Sequence, residues 1–194
     1  MIGAPHLPRN IMFPSTSPVV IDLASRRRAV QGAVAEAAPV EIAYAFYVRA
    51  SRIDESPAGY DEAEALYRRA IELDPNLALA YTNLANLRYR RGDMAEAVTL
   101  YRRAIEIDAR QPEAHYNLGY LCLERGENWC AILHLRRAVA SRPEFADAHF
   151  NLGVALERIG EPVRAGAHWR RYLELEPTGA WAEIARRHVR LAGS

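Results

Sequence analysis

The sequence predicts an all-α solenoid of four helical hairpins closed by a C-terminal capping helix. The first sign is a set of columns that recur at a spacing of 34: Ala63/Ala97/Ala131/Ala165, Asn83/Asn117/Asn151, Gly92/Gly126/Gly160 and the basic pairs Arg68-Arg69/Arg102-Arg103/Arg136-Arg137/Arg170-Arg171. A fixed period of that length marks stacked units, each able to bury its apolar face only against its neighbours. The second is punctuation. The glycine column is followed at once by Asp93, Glu127 and Glu161-Pro162, a helix stop and then a helix start. The third is a pairing of sizes. Leu84/Leu118/Leu152 and Tyr67/Tyr101/Leu135/Trp169 are large, whereas Ala85/Gly119/Gly153 and the alanine column are small, so paired helices can approach closely.

Residues 1–38 stand apart as an arm. Pro5, Pro8, Pro14 and Pro18 predict disorder to about residue 20. A marginal helix is expected over 22–37, carrying Arg26-Arg27-Arg28 and weakened at Gly32, which costs about 1 kcal/mol relative to alanine. The repeat domain follows over 39–194, with units at about 44–77, 78–111, 112–145 and 146–179. Units close at Pro75, Pro143 and Pro177; Ala109 is the exception, and Pro112 takes over three residues later. The cap, 180–191, carries Trp181, Ile184, Ala185, His188 and Val189 on one stripe, with Glu183, Arg186, Arg187 and Arg190 on the other side.

The pattern Tyr81…Leu84-Ala85…Ala97…Tyr101…Ala104, then His115…Leu118-Gly119…Ala131…Leu135…Ala138…Pro143, resembles the tetratricopeptide repeat (TPR) over roughly 44–191. The first unit departs from it at Ala50, Ser51 and Asp54, and its turn holds Pro57 and Gly59. The resemblance implies a right-handed superhelix whose concave face is formed by the first helix of each pair. The stretch from Tyr67 to the cap is also similar to repeat regions that follow MerR-like helix-turn-helix domains in some bacterial regulators. That would make it the partner-binding half of such a system, because no reader domain fits into residues 1–40.

Composition narrows the partners. A formal net charge of +1 gives no long-range field for nucleic acid or a membrane surface. No run approaches the roughly 18 apolar residues of a membrane span, and the start lacks a secretory core. The two cysteines, Cys122 and Cys130, sit in the apolar pattern of their helices and read as small core residues of a cytoplasmic protein. The histidine columns His115/His149 and His134/His168 place each member a whole repeat from its counterpart, and no His-x-x-x-His or Cys-x-x-Cys cluster occurs, so no metal or cofactor is expected. With no phosphate loop and no local motif for a catalytic triad, the chain reads as non-enzymatic, without a small-molecule substrate. A triad assembled across the fold stays open.

The asparagine column is the functional lead. Asn83, Asn117 and Asn151 should project from the concave face, where a carboxamide can pair with the backbone of a bound peptide in both senses. Two readings stay open: a ladder for another protein's segment, extended or helical, or bonds to a neighbouring helix. Asn86, Tyr89, Tyr116, Tyr120, Phe150 and Arg52 are expected around it, the aromatics as exposed anchors, with packing between repeats as the alternative for Tyr120 and Leu123. TPR proteins that receive chaperone tails clamp a terminal carboxylate with lysine and arginine. The aligned positions here carry Thr82, Glu113, Asp147 and Asn151, which argues against that ligand. The arginine pairs read as a solvated face, with Arg68, Arg102 and Arg170 each one turn from a glutamate (Glu72, Glu106, Glu174). The alternative function is the sensing half of a regulator, with the basic arm acting as a plug in the groove or as a DNA contact.

Overall fold

The computed structural model describes residues 34–192, so the expected disorder before about residue 20, most of the 22–37 helix and its three arginines lie outside the described residues. The described chain is helical and falls into two compact units, divided between Asp74 and Pro75.

In the N-terminal unit, α1 (Val34–Ile53) packs against α2 (Tyr60–Leu73) across a 3-10 turn at Pro57–Gly59. Helix α1 continues through Pro39, where the arm was expected to end. The hairpin closes tightly because its facing positions are alanine: Ala43, Ala50, Ala63 and Ala70 are all fully buried. The departures noted in this unit have a structural use. Asp54 is buried and accepts a 2.7 Å hydrogen bond from the Tyr67 hydroxyl, which satisfies a carboxylate that would otherwise be costly to bury.

The C-terminal unit repeats one hairpin. Its first helices are α3 (Ala78–Arg90), α5 (Pro112–Glu124) and α7 (Ala146–Arg158). Its second helices are α4 (Met94–Ile107), α6 (Asn128–Ser141) and α8 (Pro162–Leu175), and α9 (Ala180–Ala192) closes the series. Starts recur every 34 residues, as the sequence columns require. Each first helix packs on its own second helix, which then packs on the next first helix.

Each turn is built alike. Gly92, Gly126 and Gly160 take φ of 84°, 74° and 79°, the left-handed region that a side chain would strain. In the first, Gly92 N–H donates to the Tyr89 carbonyl and Asp93 N–H to that of Arg88, satisfying the last carbonyls of α3; the pattern recurs at Glu127 and Glu161. Asp93 then caps α4 by accepting from the Glu96 amide at 3.1 Å. The prolines act as expected, with α2, α6 and α8 ending two residues before Pro75, Pro143 and Pro177.

The paired sizes meet in space. A Cβ added at Gly153 would lie 2.7 Å from Cε2 of Trp169, and one at Gly119 would lie 2.7 Å from Cγ of Leu135. In the preceding hairpin Ala85 and Tyr101 share one core cluster, with Ala97, Ala104, Ala114, Leu118 and Leu121. The cap buries Ala182 and Ala185, half-buries Trp181, Ile184, His188 and Val189, and leaves Glu183, Arg187 and Arg190 exposed.

Three expectations need correction. Cys122 and Cys130 are not separate core thiols: they pair as a disulfide across the α5–α6 turn, with Cα atoms 5.8 Å apart, because the turn returns the end of one helix beside the start of the next. The cysteines therefore give no argument for a reducing cytoplasm; among the described residues no helix is long and apolar enough to cross a membrane. The arginine column pairs at i,i+3 rather than i,i+4, as Arg69–Glu72, Arg103–Glu106 and Arg171–Glu174, while Arg68 turns back to Glu64. The histidines, read only as members of columns a repeat apart, also pair between the two columns, as the site geometry shows.

Replacing Gly153 with alanine should lower stability by roughly 1–3 kcal/mol, because the rigid, fully buried indole of Trp169 has no room to move. Gly119→Ala should cost less, since Leu135 has rotamers to yield. Urea unfolding of both variants, with unchanged m-values, measures the difference.

Candidate functional site

Asn83, Asn117 and Asn151 occupy one position of α3, α5 and α7, and all three are nearly buried, at 7, 6 and 6 % exposure. Burial of a carboxamide demands partners. Asn117 Nδ2 donates to Asn86 Oδ1 at 2.8 Å, and the same oxygen accepts from the Tyr101 hydroxyl at 2.6 Å. Asn151 Nδ2 donates to the Tyr116 hydroxyl at 3.3 Å. The two asparagine bonds each run from one first helix to the one before it, the Tyr101 bond joins α4 to α3 within a hairpin, and Arg158 adds a third tie between first helices by donating to the Leu123 carbonyl at 2.9 Å. The column thus forms a polar seam along three successive first helices.

The aromatic residues divide. Tyr116 and Phe150 were expected as exposed anchors, and Tyr120 as an anchor or as packing between repeats; all three are buried. Tyr116 packs against Phe145, with ring centroids 4.7 Å apart. Phe150 meets Trp169, Tyr172 and Trp181 edge-on, because that position of α7 faces both its own second helix, α8, and the following helix, α9. Burial, with Asp147 nearby, pushes the Tyr116 hydroxyl well above its usual range. Tyr89 and Tyr120 instead converge on Glu124, donating to its two oxygens at 3.4 and 3.0 Å. Tyr89 is half-buried, and desolvation followed by Glu124 pushes its pKa up to about 12; burial and the Glu124 hydrogen bond raise Tyr120. Sequence reasoning missed Glu124, whose place one turn after Tyr120 was the available signal. Arg52 is exposed on α1 and belongs to the N-terminal unit.

At the other end of the seam the carboxylates are engaged or perturbed. Glu113 forms an ion pair with Arg142, whose guanidinium lies 5.0 Å from the Phe145 ring centre. Burial, with Glu176 nearby, raises the Asp147 pKa above the usual carboxylate range.

The histidines form two copies of one clasp. His115 Nδ1 faces His134 Nδ1 at 3.1 Å, and His115 Nε2 donates to the Ala109 carbonyl at 3.2 Å. One repeat on, His149 and His168 stand 3.0 Å apart, and His149 Nε2 donates to the Pro143 carbonyl at 3.0 Å. With Nε2 protonated, the Nδ1 of His115 and of His149 accepts, so each clasp is neutral with the second histidine as donor. A shared offset of 19 residues between the columns was the signal for this pairing. Among the described residues, the one cluster with metal-ligand geometry is Cys122, Glu127 and Cys130, whose sulfurs are joined to each other.

The family comparison follows the same hairpins. The TPR repeat family model matches over residues 59–92, 85–126 and 119–160, more than half of the chain. The chain belongs to the tetratricopeptide repeat family. Its structure is similar to the crystal structure of MamA at 25 % identity, covering 70 % of this chain and 77 % of MamA with a TM-score of 0.59. It is similar to YrrB, described as a TPR protein with an unusual peptide-binding site, at 23 % identity, 82 % coverage of each chain and a TM-score of 0.65. The first TPR of Spaghetti (RPAP3), bound to an HSP90 peptide, aligns at 22 % identity over 62 % of this chain and 93 % of that one, with a TM-score of 0.54. No curated protein matches the sequence.

The TPR clasps make stability depend on pH. Burial, then the partner histidine and nearby arginines, pushes His134 and His168 down to about 4; burial also lowers His115 and His149. Above pH about 6.5 both folded and unfolded chains are neutral at these groups. As pH falls below that value, the unfolded chain takes up protons that the folded chain resists, so stability is lost progressively toward pH 4. Thermal melting from pH 7.5 to 4.5 should show this fall, and His134→Gln with His168→Gln should flatten it.

Proposed function

We propose that this TPR protein is a non-enzymatic interaction module that takes a peptide segment of another protein along the first-helix face of α3, α5 and α7. The observation that carries this reading is the asparagine row at one position of three successive helices. A carboxamide offers two N–H donors and an oxygen with two lone pairs, and the bonds to Asn86 and Tyr116 engage one donor each of Asn117 and Asn151. First helices of neighbouring hairpins lie on the order of 10 Å apart. An extended segment rises about 3.3 Å per residue, so each asparagine would meet about every third peptide unit. Backbone pairing at that interval tolerates many side chains.

Tyr89, half-buried and bonded to Glu124, supplies a hydroxyl at the edge of this face, while Tyr116, Tyr120 and Phe150 hold it from beneath. RPAP3 and YrrB, as peptide-binding TPR proteins, support the ligand class. The carboxylates of Glu113 and Asp147 favour an internal segment over a free C-terminus, because no arginine or lysine stands at these positions to meet a terminal carboxylate.

A photo-crosslinking residue at Tyr89, used in the native cell, identifies the partner. Affinity for that partner should then fall about tenfold or more, near 1.4 kcal/mol, in the Asn117→Ala/Asn151→Ala variant. Binding is measured well below the melting temperature, since these substitutions also remove ties between helices. Unchanged affinity would sink the ladder.

A further inference from the structure

Three departures of the third hairpin from the others fall on one outward stripe of α6. Position 129 is tryptophan where the other hairpins carry Asp61, Ala95 and Val163. Position 133 is leucine where they carry Ala65, Thr99 and Ala167. Position 140 is alanine where they carry Glu72, Glu106 and Glu174. Residues 129, 133, 136, 137 and 140 share a helix face at spacings of three and four. Trp129 and Leu133 are 71 % and 59 % exposed, large apolar groups held in water.

The missing glutamate has a direct electrostatic effect. Arg69, Arg103 and Arg171 each pair with a glutamate three residues on, and Arg137 meets Ala140 instead. Among the described residues none of Arg136, Arg137 and Arg164 has a carboxylate within ion-pair distance. These three arginines, with Trp129, Ile132, Leu133 and Ala140, line a groove of about 550 Å³ between α6 and the start of α8. Arg136 and Arg164 also help to depress the nearby His168, which registers the local positive potential.

We propose that this groove on the second-helix face is a second docking site, for an acidic amphipathic segment of another protein. Its apolar side would lie on Trp129, Ile132 and Leu133, and its carboxylates would meet Arg136, Arg137 and Arg164. Unpaired arginines beside an exposed tryptophan are the composition of an interface anchor. Charge selects the occupant. The chain's own arm carries Arg26-Arg27-Arg28 and no acid before Asp22, so it is repelled. A polynucleotide needs a continuing cationic track with successive stacking rings, but an arginine of the pair on α4 and of the pair on α8 is held by Glu106 and Glu174, and Trp129 is the one aromatic ring among the residues lining the groove.

The site is separate from the asparagine face, and one titration distinguishes them. The probe is a labelled peptide of about 16 residues, roughly 24 Å as a helix, with glutamate and aspartate on one side and leucine on the other. Fluorescence anisotropy with the full chain should show saturable, salt-weakened binding. Arg136→Glu/Arg137→Glu and Trp129→Ala should each weaken it about tenfold or more. Ala140→Glu, which restores the repeat's own residue on an exposed position, should weaken it about threefold to tenfold by pairing Arg137. Asn117→Ala/Asn151→Ala should leave it unchanged. The proposal is overturned by no binding at about 100 μM, a weak affinity of the order of 5 kcal/mol. It is equally overturned by equal binding of a lysine-substituted peptide, by tighter binding of single-stranded DNA, by insensitivity to the α6 variants, or by self-association that the α6 variants abolish.

Discussion

The C-terminal unit depends on one repeated contact, a large residue of a second helix seated against a missing or minimal side chain on the first. Trp169 lies against Gly153 and Leu135 against Gly119, at distances that leave no room for a Cβ. The contact brings the two helices of a hairpin close, and close approach lets a 13-residue and a 14-residue helix bury a common face. Residues next to the notch inherit their environment from it. Asn117 and Asn151 are drawn toward the preceding hairpin, Phe150 packs between its own second helix and the closing helix α9, and the histidines of first and second helices come within hydrogen-bonding reach.

Several polar groups inside this packing are matched rather than excluded, although the indole Nε1 of Trp169 has no hydrogen-bond partner. The Asn86–Asn117–Tyr101 cluster, the Asn151–Tyr116 bond and the two histidine clasps fill positions where an isolated polar group would be costly. The N-terminal unit uses the same device with different residues, since Tyr67, in the column of Tyr101, donates to buried Asp54. Directed bonds of this kind hold helices in register where small apolar residues alone would let them slide.

The two faces of the repeat then take different chemistry. First helices carry neutral, bonded polar groups suited to backbone recognition. Second helices carry arginine pairs, in which at least one member meets a carboxylate in three hairpins and neither does in the one that also exposes Trp129 and Leu133. A strict period makes such departures readable, because every position has its own controls at intervals of 34.

Helix positions, turns and the pairing of large with small columns were legible in the sequence, since they depend on local backbone chemistry and on period. Gly92, Gly126 and Gly160 take the left-handed conformation expected of them, and the prolines stop the helices they precede. What joins two helices was not legible, because it depends on which columns face each other across a turn. The Cys122–Cys130 disulfide, the histidine clasps and the burial of Tyr116, Tyr120 and Phe150 all arise from that facing. The sequence by itself determined the repeat unit and its capped helices; only the tertiary structure decided which polar side chains meet across them, because packing rather than spacing sets those distances.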